Sequence, residues 1–166
     1  MLKLHAEPFE LLHKPVQDFD FNLHDPEKIE REMIAIMKQY NGIGLAANQI
    51  GLDARIFIMG SDNIEGFCEP QAFINPKIIA HNNDFTVDKE GCLSFPTLYL
   101  NVKRPSAIGA TYYNIKGELE EVEISGYMAK CFQHEYDHLD GICFTNRVSR
   151  LKLDMAMNKL LKKQKV

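Results

Sequence analysis

No apolar run in this 166-residue chain approaches the roughly 20 residues that a helix needs to cross a membrane. The opening stretch, MLKLHAEPFE, lacks the long apolar segment of a secretion signal, and it is not the Arg- and Ser-rich kind of a transit peptide. The cytoplasm is therefore the expected location, with no membrane partner. None of the four cysteines (Cys68, Cys92, Cys131 and Cys143) belongs to a C-x-x-C pair, so reduced thiols are expected and each has to be weighed singly. Positive charge is not in excess. The 19 Lys and Arg against 23 Asp and Glu leave −4, which argues against a general nucleic-acid surface and against specific DNA binding. No internal repeat, low-complexity tract or linker divides the chain. With 45% apolar residues it can bury one sizeable core, so a single domain over residues 1–166 is expected.

Pro8 and Pro15 break any long element in residues 1–24. Asp25-Pro26 then reads as an N-cap followed by proline at the first helical position. Ile29, Met33, Ile36, Met37 and Tyr40 follow at helical spacing until Asn41-Gly42. Ile56-Phe57-Ile58-Met59 reads as a buried strand, and residues 60–70 as a loop. Strand-length runs follow at Phe73-Ile74, Ile78-Ile79, residues 85–87, 98–102 and 107–113, with turn signals at Asn75-Pro76, Asn82-Asn83-Asp84 and Lys116-Gly117. Residues 118–124 interleave glutamates with Leu119, Val122 and Ile124, as a strand with a solvated acidic face would. Ser125 is the expected N-cap of a helix that Gly141 closes. A last helix is expected from Ser149, carrying Leu151, Met155, Leu160 and Leu161. The predicted class is α+β: antiparallel or mixed sheets packed around a central metal-binding helix, with an N-terminal and a C-terminal helix.

That central helix carries His134-Glu135-Tyr136-Asp137-His138. One helical turn separates the two histidines, so both imidazoles face one side and can bind one divalent metal, while Glu135 can reach a water held there. Two histidines need at least one more ligand. His5, His13, His24 and His81 sit in no motif. Cys92 stands in a distinctive setting, Glu90-Gly91-Cys92-Leu93-Ser94, whereas Cys68, Cys131 and Cys143 read as inert packing.

Three stretches together resemble the signature of peptide deformylases, in that family's order: GIGLAANQ at 42–49, EGCLS at 90–94 and QHEYDHLDG at 133–141. Ile74-Asn75-Pro76 and the long last helix also resemble the family. The resemblance implies that Cys92, His134 and His138 bind the metal, with ferrous iron preferred and zinc, nickel or cobalt able to substitute. It implies Glu135 as general base, with the Gln49 amide and the Leu93 backbone N–H as oxyanion donors. The implied reaction removes the formyl group from the N-terminal formylmethionine of nascent peptides, releasing formate. The peptide would lie as an added strand against Ile43, Gly44, Leu45 and Gly91. Tyr127 and Lys130 would border the methionine pocket, and Asp137 and Arg104 would pair to steady the metal helix.

Some positions depart from the family's pattern: Asn41 replaces an acidic residue, Tyr99 an arginine, and Asp88 and Lys130 stand at the edge of a normally apolar pocket. The last twenty residues hold seven Lys and Arg against one Asp, +6, which leaves −10 on the rest. This basic tail is either a solvated helix end or a docking helix for an anionic partner such as the ribosome. Two other functions stay open: a zinc peptidase, which usually takes its third ligand downstream of the helix, and a non-catalytic peptide-binding module. The chain is expected to act as a monomer.

Overall fold

The run Ile56-Phe57-Ile58-Met59 is buried throughout because both of its faces are covered. Successive strand residues point to opposite sides. Ile56 and Ile58 therefore join Met33 and Met37 of one helix, while Phe57 and Met59 join Phe132 of another. The computed structural model of the chain describes residues 2–64 and 66–164. Its α-helices are α1 (Pro26–Gln39), α2 (Gly126–Leu139) and α3 (Arg150–Gln164). The strands are β1 (Gly44–Ala46), β2 (Ile56–Met59), β3 (Gln71–His81), β4 (Phe85–Cys92), β5 (Phe95–Pro105), β6 (Ala107–Tyr113) and β7 (Leu119–Ser125).

One sheet runs β1-β2-β3-β6-β7 and a second pairs β4 with β5. Every pairing among the described strands is antiparallel, so the mixed alternative does not arise. The first sheet lies between α1 and α2. On the α2 side, the Phe132 ring meets Phe57 edge-on at 4.9 Å and Phe73 at 5.4 Å. Deleting such a ring typically costs about 3–5 kcal/mol. On β5, Leu98, Leu100, Val102 and Arg104 alternate inward, and the apolar three pack with Phe144 and with Leu153 and Ala156 of α3.

Several local expectations change. Asn75-Pro76 is not a turn but a bulge inside the single strand β3. Asn75 has φ 47, its Oδ1 accepts from Phe19 N–H and its Nδ2 donates to Phe19 C=O, at 2.7 and 3.0 Å. The register against β6 shifts across Ile74 to Lys77, which accommodates a proline without a donor. The packed face of α3 is Leu153 and Ala156, with Leu160 partly covered, whereas Leu151 and Met155 are exposed. Leu119 is exposed on the same face as Glu121 and Glu123, opposite Val122 and Ile124. Ser125 takes the N-cap position of α2 without a side-chain capping bond, unlike Asp25, which accepts from Lys28 N–H at 3.0 Å.

Candidate metal centre

Strand β4 runs beside α2 with its half-buried face, Asp88, Glu90 and Cys92, turned toward Lys130, His134 and His138. Two strand residues rise roughly 6.7 Å and four helical residues roughly 6 Å, so the two series stay matched over three contacts. Asp88 and Lys130 form an ion pair. Glu90 Oε2 lies 3.0 Å from His134 Nδ1, and Cys92 Sγ lies 3.3 Å from His138 Nε2.

The ligand atoms of Cys92, His134 and His138 all lie within 4.8 Å of one another. Ligands of one tetrahedral ion stand roughly 3.5 Å apart, so a small adjustment would close them on a cation. Among the described residues this is the sole such group of three. Three protein ligands leave one coordination position open, the pattern of a catalytic rather than a structural site. Glu90 sets the His134 tautomer. Burial alone would raise this carboxyl, but hydrogen bonds from His134 and Arg104 outweigh it and hold the pKa at about 2. An ionised carboxylate only accepts, so His134 Nδ1 donates and Nε2 is left for the metal.

Behind the ligands lies a buried charge network. Arg104, 4% exposed, donates to Glu90 through Nε and Nη2 at 2.6 and 3.0 Å, and to Asp137 through Nη1 at 2.8 Å. The expected Arg104–Asp137 pair is therefore present. Arg147, outside the expected set, also donates to Asp137, through Nε at 2.9 Å. The end of α2 is fixed as well: Gly141, at φ 72, donates to His138 C=O and Ile142 donates to Asp137 C=O, closing the helix with a Schellman turn. Asn48 Nδ2 adds a hydrogen bond to His138 C=O.

Glu135 is buried beside this cluster, its Oε2 without a hydrogen-bond partner, and burial lifts its pKa to about 7. A cation on the neighbouring ligands would favour the carboxylate and lower that value. A Cβ added at Gly44 would fall 2.3 Å from Glu135 Oε1, so the carboxylate occupies space that only glycine leaves. Gln49 Oε1 accepts from Ala46 N–H at 2.8 Å, which turns Nε2 toward Ser94 Oγ at 3.1 Å and Cys92 Sγ at 3.5 Å. The amide donor therefore points at the ligand cluster.

These groups open on a cleft of about 560 Å³ lined by Ile43, Gly44, Gly91, Leu93, Tyr99 and Tyr127. Strand β1 is an edge strand, paired on one side only by β2. Gly44 offers its backbone there: Ile43 C=O accepts from Gly60 N–H of the β2 side, so the alternation turns the Leu45 backbone toward Ile58. The Leu45 side chain is fully buried in the core. A smaller recess of about 80 Å³ lies between Ile43, Tyr127, Lys130, Cys131 and His134. Cys131 is buried, with Sγ 3.6 Å from Ile43 C=O, and burial pushes its thiol well above the usual range, as inert packing requires. Sequence reasoning assigned no role to Glu90, Asn48, Ser94 or Arg147. Glu90 was within reach, since it stands two residues from Cys92 and so on the same strand face.

An open three-ligand cluster with a buried carboxylate and an amide donor beside it defines a metal-dependent hydrolase. Comparisons with known proteins narrow the class. The polypeptide deformylase family model matches residues 1–154. The peptide deformylase of Thermotoga maritima is 43% identical over 148 residues, covering 89% of this chain and 85% of the relative. The crystal structure of a Synechococcus elongatus peptide deformylase in complex with actinonin matches with TM-score 0.88 at 34% identity, over 96% of this chain and 87% of that one. That of Ehrlichia chaffeensis matches with TM-score 0.84 at 32% identity, over 99% and 97%. The chain belongs to the peptide deformylase family, hydrolases that remove the N-formyl group from newly made polypeptides.

Proposed function

We propose that residues 1–166 form one catalytic domain that hydrolyses the formyl amide of N-formylmethionyl nascent peptides, with Cys92, His134 and His138 holding ferrous iron. One observation carries the assignment: these three ligand atoms lie within 4.8 Å of one another, against the buried carboxylate of Glu135. The soft thiolate and two imidazoles also suit zinc, nickel or cobalt. The bound metal supplies a Lewis acid that makes water a nucleophile near neutral pH. Glu135 takes a proton from the attacking water and passes it to the leaving nitrogen. Gln49 Nε2 and the Leu93 backbone N–H donate to the oxyanion that develops on the formyl oxygen. The peptide adds as a strand along the edge formed by Ile43, Gly44 and Leu45, facing Gly91. Its first side chain enters the recess bordered by Tyr127 and Lys130. Asp137 and Arg104 hold the helix that presents the ligands.

The enzyme acts in the cytoplasm as a monomer, with the basic face of α3 docking on the ribosome. No helix is long and apolar enough to cross a membrane, among the described residues. Formate release from an N-formylmethionyl tripeptide, by protein reconstituted anaerobically with ferrous iron, tests the reaction. Release should stop on chelation and be absent with an N-acetyl peptide or an internally cleavable one. Glu135→Ala should retain metal and lose turnover, and Cys92→Ala should lose metal. Cleavage of the internal peptide without formate release would move the assignment to a peptidase.

A further inference from the structure

Asp88 and Lys130 make the outermost of the three contacts between β4 and α2, and they border the recess that opens beside His134 and Glu135. Its remaining walls are Ile43, Lys89, Glu90, Gly91, Tyr127 and Cys131. Lys130 is the covered partner, its side chain 14% exposed against 43% for Asp88. The ammonium carries three donors, and Asp88 is the acceptor it meets. Ile43, Tyr127 and Cys131 give the recess its apolar walls, and the Glu90 carboxylate is taken up by Arg104 and His134. Lys130 thus stands in the wall as a charged donor.

We propose that Lys130 sets selectivity at the first residue of the peptide, admitting formylmethionine sulfoxide alongside formylmethionine. This rests on the deformylase reading above. A thioether sulfur is a weak acceptor, and oxidation converts it into a polar S=O group. In a wholly apolar pocket that oxygen would lose its water without gaining a partner. Here Lys130 supplies an N–H, while Asp88, the more exposed partner, keeps the ammonium at the wall. Norleucine has the same length and offers no acceptor, so it is the apolar reference.

The test compares kcat/KM for formate release from three formyl tripeptides that begin with methionine, methionine sulfoxide or norleucine. In Lys130→Met the sulfoxide-to-norleucine ratio should fall by about tenfold or more, the effect of stranding one buried acceptor. The double variant Asp88→Asn/Lys130→Met, which leaves no unpaired charge, should show the same fall. Lys130→Arg, which keeps a cationic donor, should preserve the ratio. A ratio unchanged in the two Lys130→Met variants overturns the inference, even with brisk turnover of formylmethionine. Failure of the deformylase reading is distinct: no formate then appears from any of the three peptides.

Discussion

Glu90 Oε2 lies 3.0 Å from His134 Nδ1 while the same carboxylate takes two hydrogen bonds from Arg104. The middle contact between β4 and α2 therefore orients a metal ligand and anchors it to a buried cation. Glu90→Gln removes the charge that makes His134 Nδ1 a donor and leaves Arg104 with Asp137 as its carboxylate partner. Metal affinity should drop by roughly 10- to 100-fold, as losses of such supporting partners typically do. Competition against a chromophoric chelator measures this directly, and unaltered affinity would remove Glu90 from the support of His134.

Gly44→Ala places a methyl group 2.3 Å from Glu135 Oε1, well inside contact distance. The carboxylate must swing away while Cys92, His134 and His138 keep their positions. Metal content should therefore be retained as kcat drops by about 10²- to 10⁴-fold, the usual worth of a positioned general base. Formate release and metal analysis on the same sample separate the two effects. Near-normal turnover would mean that Glu135 works from more than one position.

Much of this was legible in the sequence because it depends on local spacing. The i, i+4 histidines, the Asp25 cap and the alternation of Leu98, Leu100 and Val102 each state a geometry within a few residues. What escaped depends on which face meets which element. Asn75-Pro76 carries the composition of a turn, yet Phe19, far away in the chain, captures the asparagine side chain and makes a bulge. Arg147 sits in the basic tail by sequence but turns back to Asp137 on α2. The resemblance marks Asp88 and Lys130 at the pocket edge, but their ion pair follows only from β4 lying beside α2.

Alkali should weaken the fold through its buried thiols. Burial pushes the Cys143 thiol up to about 12, and that of Cys131 well above its ordinary value. A folded-state pKa above the unfolded one gives stability that is present below the unfolded thiol's pKa, near 9, and lost as pH rises toward the folded value. The loss approaches about 1.4 kcal/mol per pH unit for each thiol. Urea midpoints should therefore decline above roughly pH 9, and Cys131→Ala/Cys143→Ala should flatten that decline. An equally steep decline in the double variant would assign it to other groups, such as Tyr112, whose hydroxyl burial also pushes upward.

Removing residues 149–166 would not test ribosome docking cleanly, because Leu153 and Ala156 cover Leu98, Leu100, Val102 and Phe144. Truncation would expose that cluster and confound a lost contact with a weakened fold. Lys152, Lys159 and Lys162 are exposed on α3, so changing all three to glutamate lowers the charge by six and leaves the packed face intact. Arg147 should be spared, since it holds Asp137. If α3 docks on ribosomal RNA, the triple variant should co-sediment with ribosomes far less at low ionic strength. The gap should close as added salt screens the wild-type contacts. Turnover of a free formyl tripeptide, measured in parallel, reports whether the cleft still works. Equal co-sedimentation of the two proteins would leave the basic tail as a solvated helix end.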